Sequence, residues 1–257
     1  MFQSFQFTLF SKNTFELNIA ILGRLHEFYL CSKDDSEIVL SALNSLEQNE
    51  TLKKIAIELS FTIDEDELQQ LKKNVCKRII YLNQSYISDI KAFSHRFPSL
   101  AKIRIQMRDL IRFLPHLASF TCMTHVEVAY FSDSYIMEQA RLVAINVCDA
   151  DQKSLPQSES IRQLELFFEI DCKVFNGWSD LFQCMLLPSL SHVMPRLQKI
   201  QAMITLTGHF ENFDADDMFA NIVDYIRPMK QQCHELYLME IIIHSHDDFH
   251  EVKFFKL

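Results

Sequence analysis

Glycine is scarce in this sequence. Only three glycines, Gly23, Gly177 and Gly208, occur among 257 residues. Phosphate-binding loops and dinucleotide fingerprints need several glycines close together, because only glycine lets the backbone approach a phosphate closely. The nucleophile elbow GxSxG of hydrolases is also absent. These absences exclude the common nucleotide-binding motifs, and we predict neither catalytic residues nor a cofactor.

The chain also lacks a surplus of positive charge and a long apolar run. It has 25 Lys and Arg against 34 Asp and Glu, which gives a formal net charge of -9. Proteins that bind nucleic acid usually carry clustered basic residues that neutralise phosphates, so we expect no nucleic-acid partner. No run of about eighteen apolar residues occurs, so we expect no transmembrane helix and no membrane partner.

Paired cysteines are missing as well. The seven cysteines are an odd number, and none of them forms a CxxC pair. Disulfide frameworks favour even numbers in short chains, and zinc sites favour paired spacing. The opening "MFQSFQFTLFSK" has no basic region ahead of an apolar core, so it is a poor signal peptide. Reduced thiols and a cytoplasmic or nuclear location are therefore expected.

What the sequence does have is a repeated six-residue frame. "LHEFYL" at 25–30 and "CHELYL" at 233–238 share apolar residues at positions one, four and six. The same frame begins at residues 2, 52, 76, 100, 123, 161 and 197, which makes nine rows. Row spacing is 23 to 27 residues up to Met123 and 36 to 38 residues afterwards. A short frame that recurs in order along the whole chain is typical of repeat architectures.

Each row predicts a short strand that is buried on one face. Positions four and six are two residues apart, the period of a strand, and the residue between them is usually polar. The row at Cys76 is ambiguous, because Ile80 and Leu82 could replace Ile79 and Tyr81 as its inward pair. Cys76 and Cys233 stand where other rows have leucine, so we expect both thiols to be buried.

Between the rows the apolar period becomes helical. Ser88 is the predicted cap of a helix, and "DEDELQQLKKNV" predicts one continuous helix. Longer gaps leave room for helices at 178–194 and 214–227, and 149–160 reads as a surface loop. The apolar faces of the shorter helices comprise Ile90, Phe93 and Phe97; Leu110, Phe113 and Leu117; and Leu68, Leu71 and Val75.

We therefore predict an α/β fold, with residues 1–257 forming a single solenoid domain. Short repeats occupy 1–148 and long repeats 149–245, and a C-terminal hairpin at 239–257 caps the stack. An eight-stranded α/β barrel is the alternative architecture, and it would make the chain an enzyme of unknown reaction. The one-sided burial of the strands disfavours the barrel, whose strands are buried on both faces. A further alternative is a structural repeat segment of a larger protein.

The frame resembles the leucine-rich-repeat family, whose pattern is L-x-x-L-x-L followed by x-x-N or x-x-C. The asparagine or cysteine of that pattern, three residues beyond the last apolar position, is missing in every row, and row lengths are uneven. In these two features the chain is similar to the degenerate repeats of F-box ubiquitin-ligase receptors and to ribonuclease-inhibitor-like horseshoes. No F-box is recognisable in this sequence, so the resemblance does not imply binding to a ligase adaptor.

The resemblance implies a horseshoe with parallel strands on its concave face, helices on its convex face and a protein or peptide partner bound to the strands. Lys54, Arg78, Lys102 and Arg104 come from three consecutive rows and predict a basic patch suited to an acidic or phosphorylated partner. A merely solvated strand face is the competing interpretation. The predicted partner-binding residues are Tyr29, Lys54, Arg78, Lys102, Arg104, Glu127, Glu165, Phe167, Gln201 and Tyr237.

One cluster of histidines contains residue types that bind metal ions. His244, His246 and His250 lie near Asp247 and Asp248 within a polar segment. Zinc needs ligands that converge on one point, and the polar turn of a hairpin accounts for the same residues without a metal. We therefore predict no metal ligand there or elsewhere in the sequence.

Overall fold

A computed structural model describes residues 4–9, 26–32, 36–59, 63, 65–83, 87–131, 156–171, 190, 192–207, 233–245 and 250–256. The chain divides into two compact units, which are described separately. The first unit comprises Met1–Ile105 and Ser119–Met123, and the second comprises Gln106–Ala118 and Thr124–Leu257. The predicted helix at 214–227 lies outside the described residues, as does most of that predicted at 178–194.

The first unit contains a parallel sheet whose strands follow chain order. Each strand pairs with the next one along the chain, and all of these pairs are parallel. The strands are β1 (Ser4–Leu9), β2 (Glu27–Ser32), β3 (Lys54–Leu59), β4 (Ile79–Asn83) and β5 (Lys102–Gln106).

The register of these strands follows the repeat frame. Phe28 pairs with Ile55, so position four of one row lies beside position four of the next. Along β3, Ile55, Ile57 and Leu59 are buried, whereas Ala56 and Glu58, which alternate with them, are partly exposed. One-sided burial of the strand rows is therefore confirmed for β3, and β2 and β5 alternate in the same way.

The ambiguous fourth row combines both predicted alternatives. Ile79 and Leu82 are fully buried, whereas Ile80 and Tyr81 are partly exposed. The register shifts between Ile55 and Ala56, so that Ile55 pairs with Ile79 but Ala56 pairs with Tyr81. A β-bulge adds one residue to one strand and thereby turns the following side chains to the other face. For this reason neither regular alternation fits the row.

Helical segments connect the strands of the first unit. They are α1 (Ser36–Ser45), followed by a 3₁₀ turn at Leu46–Gln48, then α2 (Glu65–Leu68), α3 (Lys73–Cys76) and α4 (Ile90–Arg96). The single helix predicted through 64–75 is wrong, because α2 and α3 are separate, although Leu68, Leu71 and Val75 are buried as expected. The cap of α4 is Asp89 and not Ser88: Oδ1 of Asp89 accepts a hydrogen bond from the backbone N–H of Ala92 at 2.9 Å.

The second unit also contains strands in chain order. After α5 (Met107–Phe113) and a 3₁₀ turn at Leu114–Ser119 come β6 (His125–Phe131), β7 (Gln163–Asp171), β8 (Lys199–Thr207), β9 (Leu238–Ser245) and β10 (His250–Lys256). The strands β6 to β9 pair in parallel, and β9 and β10 form an antiparallel hairpin, as the sequence predicts.

The predicted register of the last row is wrong by three residues. Position three of the previous row, Lys199, pairs with Leu238 and not with Glu235. The backbone N–H of Leu236 donates to the Cys233 carbonyl at 3.1 Å, just as that of Leu197 donates to the Met194 carbonyl. Leu236, and not Cys233, therefore occupies position one, and the row is "LYLMEI" at 236–241.

The described chain is thus an α/β protein built on parallel strands. Within either unit, no ladder among the described residues joins the first strand to the last, so neither sheet is closed. The barrel alternative is not supported by these open ladders. Among the described residues, no helix has the length and apolar character needed to cross a bilayer.

Candidate functional site

The polar strand face of the first unit begins with an ion pair and a hydrogen bond between β2 and β3. Nζ of Lys54 lies 2.7 Å from Oε1 of Glu27, its register partner on β2. The hydroxyl of Tyr29 donates a hydrogen bond to the carboxylate of Glu58. Tyr29 and Lys54 therefore lie on the predicted face, but each is already engaged by an acid of the neighbouring strand.

On β4 and β5 the same face carries cations beside an aromatic ring. Nζ of Lys102 lies 5.3 Å from the ring centroid of Tyr81, its register partner. Arg104 pairs in register with Asn83, whose side-chain amide donates to the carbonyl of Leu59 at 2.9 Å. All four of these side chains are partly exposed. We call Tyr81, Asn83, Lys102 and Arg104 the basic strand face.

Arg78 does not join this face. Its Nη1 donates to the carbonyl oxygen of Leu46 at 3.1 Å, in the 3₁₀ turn that follows α1. Leu46 is fully buried, and Arg78 itself precedes β4. Of the four residues of the predicted basic patch, Arg78 thus contacts a helical carbonyl and Lys54 contacts Glu27, while Lys102 and Arg104 lie on the same face of β5.

In the second unit β6 is covered on both faces. Val126 and Val128 are buried as predicted, but Glu127 and Ala129 on the opposite face are each only 5% exposed. The prediction that Glu127 lies on an open docking surface is therefore wrong. A carboxylate this buried needs polar partners, since removing a charge from water is costly.

Glu127 belongs to a cluster with His125 and Glu165. Glu127 and Glu165 are register partners on β6 and β7, and His125 precedes Glu127 by two residues on the same strand. One ligand atom from each of the three side chains lies within 4.8 Å of the others. The sequence interpretation missed His125, although its signal was present: His125 and Glu127 share a strand face, and Glu165 occupies the matching position in the next row.

The remaining predicted residues on β7 and β8 are partly exposed. Glu165 pairs with Gln201, and Phe167 pairs with Met203, so Gln201 and Phe167 lie on adjoining strands of the second unit. Lys199 on β8 forms an ion pair with Glu240 on β9, with Nζ and Oε2 3.3 Å apart. Gln201 and Phe167 therefore lie on strands, as predicted. Near them are neutral and aromatic side chains and the ion pair of Lys199 with Glu240.

Tyr237 lies elsewhere than predicted. Its side chain is 54% exposed, but it precedes β9, and its backbone N–H donates to the Gln198 carbonyl at 3.1 Å. The neighbouring Glu235 contacts Arg196 at 2.6 Å. The side-chain amide of Gln198, followed by the Arg196 guanidinium, lowers the pKa of Glu235. Because the register of the last row is shifted by three residues, Tyr237 directly precedes β9 and does not lie on the polar face of that strand.

The two buried cysteines among the described residues, Cys76 and Cys233, are poor candidates for a reactive site. Among the described residues, Cys31, Cys76, Cys122 and Cys233 form no disulfide, and Cys76 and Cys233 are buried as predicted. Burial raises the pKa of Cys233 to about 11 and also raises the pKa of Cys76. A thiol with a raised pKa is a poor nucleophile and a poor metal ligand at neutral pH.

The histidine cluster near the C-terminus is only partly described. His244 pairs with His250 across the β9–β10 hairpin, and His246 lies outside the described residues. The antiparallel pairing of β9 with β10 is that of a hairpin, and Asp247 and Asp248 also lie outside the described residues.

No protein-family model matches this chain, and no curated protein matches it either. Its resemblance to leucine-rich repeats therefore stays a prediction drawn from the repeat frame. The features of this chain that bear on its function are the polar strand faces of the two units.

Proposed function

We propose that this chain is a leucine-rich-repeat-like solenoid that binds a protein partner through its polar strand face. The observation that carries the proposal is the basic strand face of the first unit. There, Lys102 and Arg104 project from one face of β5 beside Tyr81 and Asn83 of β4. The partner we expect is a peptide segment that carries carboxylates or phosphate groups.

Physical chemistry favours this class of partner. Arginine binds carboxylates and phosphates through paired hydrogen bonds, and lysine adds a second positive charge. Tyr81 offers rigid apolar area beside Lys102, and rigid aromatic side chains are frequent energetic hot spots in interfaces. Since the whole chain carries a formal charge of -9, a local positive surface would orient an acidic segment toward this face.

The strand geometry supports recognition of an extended segment. Neighbouring strands are about 4.8 Å apart, so side chains at matched register positions form rows across the sheet. Tyr81 beside Lys102, and Asn83 beside Arg104, make two such rows. Lys54 and Tyr29 add further polar groups on β3 and β2, although acids of the same face already engage them.

The proposal is tested with the double variant Lys102→Glu and Arg104→Glu. The purified chain is applied to peptide arrays of acidic, phosphorylated and neutral sequences, and in parallel to a lysate pull-down with quantitative mass spectrometry. We expect the double variant to lose acidic or phosphorylated ligands that the unchanged chain binds. Lys91→Glu is the matched control, because Lys91 is an exposed lysine on α4. Equal binding by the double variant and the unchanged chain would remove the proposed surface.

A narrower form of the proposal is that the chain is the substrate-recognition part of an F-box-type ubiquitin-ligase receptor. Its support is the similarity of the uneven repeats to those receptors. Co-purification of a ligase adaptor with the protein expressed from its complete gene would favour this form. Partner binding without any adaptor would leave the general binding module and remove the ligase role.

A further inference from the structure

We infer that His125, Glu127 and Glu165 form a binding site for a divalent transition-metal ion, best suited to Zn²⁺. The three residues lie on the two neighbouring strands β6 and β7 of the second unit. Neither the repeat frame nor the proposed partner-binding surface requires a metal at this place. The proposal concerns ion binding, and it stands independently of the basic strand face on β4 and β5.

The first support is convergence of the donor atoms. One imidazole nitrogen and one oxygen from each carboxylate all lie within 4.8 Å of one another. Bond lengths of about 2.0 to 2.2 Å in a tetrahedral zinc site place donor atoms roughly 3.3 to 3.6 Å apart. Small side-chain rotations would bring the three atoms to that spacing, because all of them already project from one strand face.

The second support is the environment of the His125 ring. Its Nε2 atom is shielded from solvent and makes no hydrogen bond with the described residues. Oε1 of Glu165 lies 2.9 Å from this nitrogen, but the contact has the distance of an ion pair without the geometry of a hydrogen bond. In its unprotonated form the same nitrogen directs a lone pair among carboxylate oxygens, which is the arrangement of a metal-ligand set.

Charge and burial favour a dication at this point. Glu127 is 5% exposed, and its register partner Glu165 has a side chain that is 13% exposed. Like charges directly opposite each other on neighbouring strands destabilise a sheet. An ion of charge +2 would neutralise both carboxylates, and with the uncharged imidazole as third ligand the complex would carry no net charge.

A hydrogen bond from Gln163 to Glu165 also supports the metal site. The side-chain amide of Gln163 donates to Oε1 of Glu165 at 2.9 Å and thereby holds that carboxylate in place. Ligating carboxylates in metal sites are commonly oriented in this way by neighbouring donors. Nitrogen and oxygen donors together suit zinc and its first-row neighbours better than calcium or magnesium, which favour oxygen alone. Three protein ligands leave a coordination position for water.

The test is titration of the reduced, tag-free full chain with Zn²⁺ by calorimetry. We expect Glu165→Gln and Glu127→Gln each to weaken Zn²⁺ binding by more than about tenfold, since loss of even an outer-shell partner costs about that much. Glu240→Gln is the control, because Glu240 is a paired carboxylate of the same unit outside the cluster. Far-ultraviolet circular dichroism establishes that the variants are folded. Both glutamate-to-glutamine changes preserve side-chain size, so two independent variants report on the site.

Co²⁺ substitution identifies the donor atoms independently of affinity. We expect visible ligand-field bands that are lost in His125→Ala, without the ultraviolet charge-transfer band that thiolate ligands produce. A thiolate band would place the ion on cysteines and overturn the assignment. Failure of the unchanged chain to bind Zn²⁺, or unchanged binding by both glutamine variants, would also overturn it and leave His125 and Glu165 as a structural pair.

Discussion

Arg96 ties successive helical segments of the first unit together, and its replacement provides a demanding stability test. Its Nη2 atom donates to the carbonyl oxygens of Leu68 at 3.1 Å, Gln69 at 2.7 Å and Leu71 at 2.8 Å. These carbonyls belong to the end of α2 and the turn that separates α2 from α3. Arg96→Met removes the charged donors and keeps most of the apolar stem.

The expected fall in the free energy of unfolding follows from how many hydrogen bonds Nη2 of Arg96 can donate. A hydrogen bond to a charged group contributes about 1.5 to 3 kcal/mol, but Nη2 has only two hydrogens to share among three acceptors. Arg96 is also partly exposed, so water can replace part of what is lost. We therefore expect the free energy of unfolding to fall by about 2 to 3 kcal/mol, near the upper end for typical single substitutions.

The assay is urea unfolding followed by circular dichroism, combined with hydrogen exchange of the backbone amides of residues 71–78. A loss of that size shifts the urea midpoint by roughly 1 M if the slope is about 2 to 3 kcal/mol per molar. Protection should fall first in the α2–α3 turn. Lys91→Met, on the same helix but exposed, should change stability by less than about 0.5 kcal/mol. If Arg96→Met behaved like Lys91→Met, the proposed tie between segments would be refuted.

Two further predictions concern a buried amide and a buried thiol. Asn49→Ala should lower the free energy of unfolding by about 1 to 3 kcal/mol in thermal melts, because Oδ1 of the buried Asn49 accepts hydrogen bonds from Thr51 N at 3.1 Å and Leu52 N at 3.2 Å. With a pKa of about 11, Cys233 stays protonated at pH 8. Only about a thousandth of it is then thiolate. Iodoacetamide should therefore modify the exposed Cys122 much faster, as measured by peptide mass spectrometry.

Each of these expectations has a clear opposite result. Gln48→Ala serves as the control for Asn49→Ala, since Gln48 is exposed in the adjoining turn. Equal melting temperatures for the two variants would show that the hydrogen bonds of Asn49 do not stabilise the fold. For the thiols, pH is the second variable. Because the pKa of Cys233 is raised, its modification rate should rise only well above pH 9, and equal rates for Cys233 and Cys122 at pH 8 would contradict its burial.

The sequence predicts most of the described strands, because their frame depends on local alternation. Phe28 and Ile55 pair as the frame requires, and Leu68, Leu71 and Val75 are buried although the helix that carries them is interrupted. A helical period fixes which side chains face inward over a few turns. It does not reveal that the backbone leaves the helix at the turn held by Arg96.

The frame fails where two registers satisfy it equally. "CHELYL" and "LYLMEI" both match it. The pairing of Lys199 with Leu238 and the backbone hydrogen bond from Leu236 to Cys233 select the second. The bulge between β3 and β4 is invisible for the same reason, since Ile79, Ile80 and Leu82 are all apolar.

The candidate sites needed three-dimensional information. Arg78 has the right sequence position for the strand face, but the carbonyl of Leu46 lies within its reach and binds it. Glu127 alternates with valines as an outward residue should, yet the face on which it lies is covered. One-sided patterns show which face is apolar, but they carry no signal for what packs against the polar one.

Site-specific photocrosslinking tests partner binding on the strands most directly. A photoreactive amino acid is placed at Tyr81 on the strand face, or at Lys91 on α4, and the chain is irradiated with the ligand identified on the arrays. The probe at position 81 should crosslink to the acidic or phosphorylated segment, and Lys102→Glu with Arg104→Glu should abolish that product. Crosslinks that form at position 91 but not at position 81 would contradict recognition by the strand face.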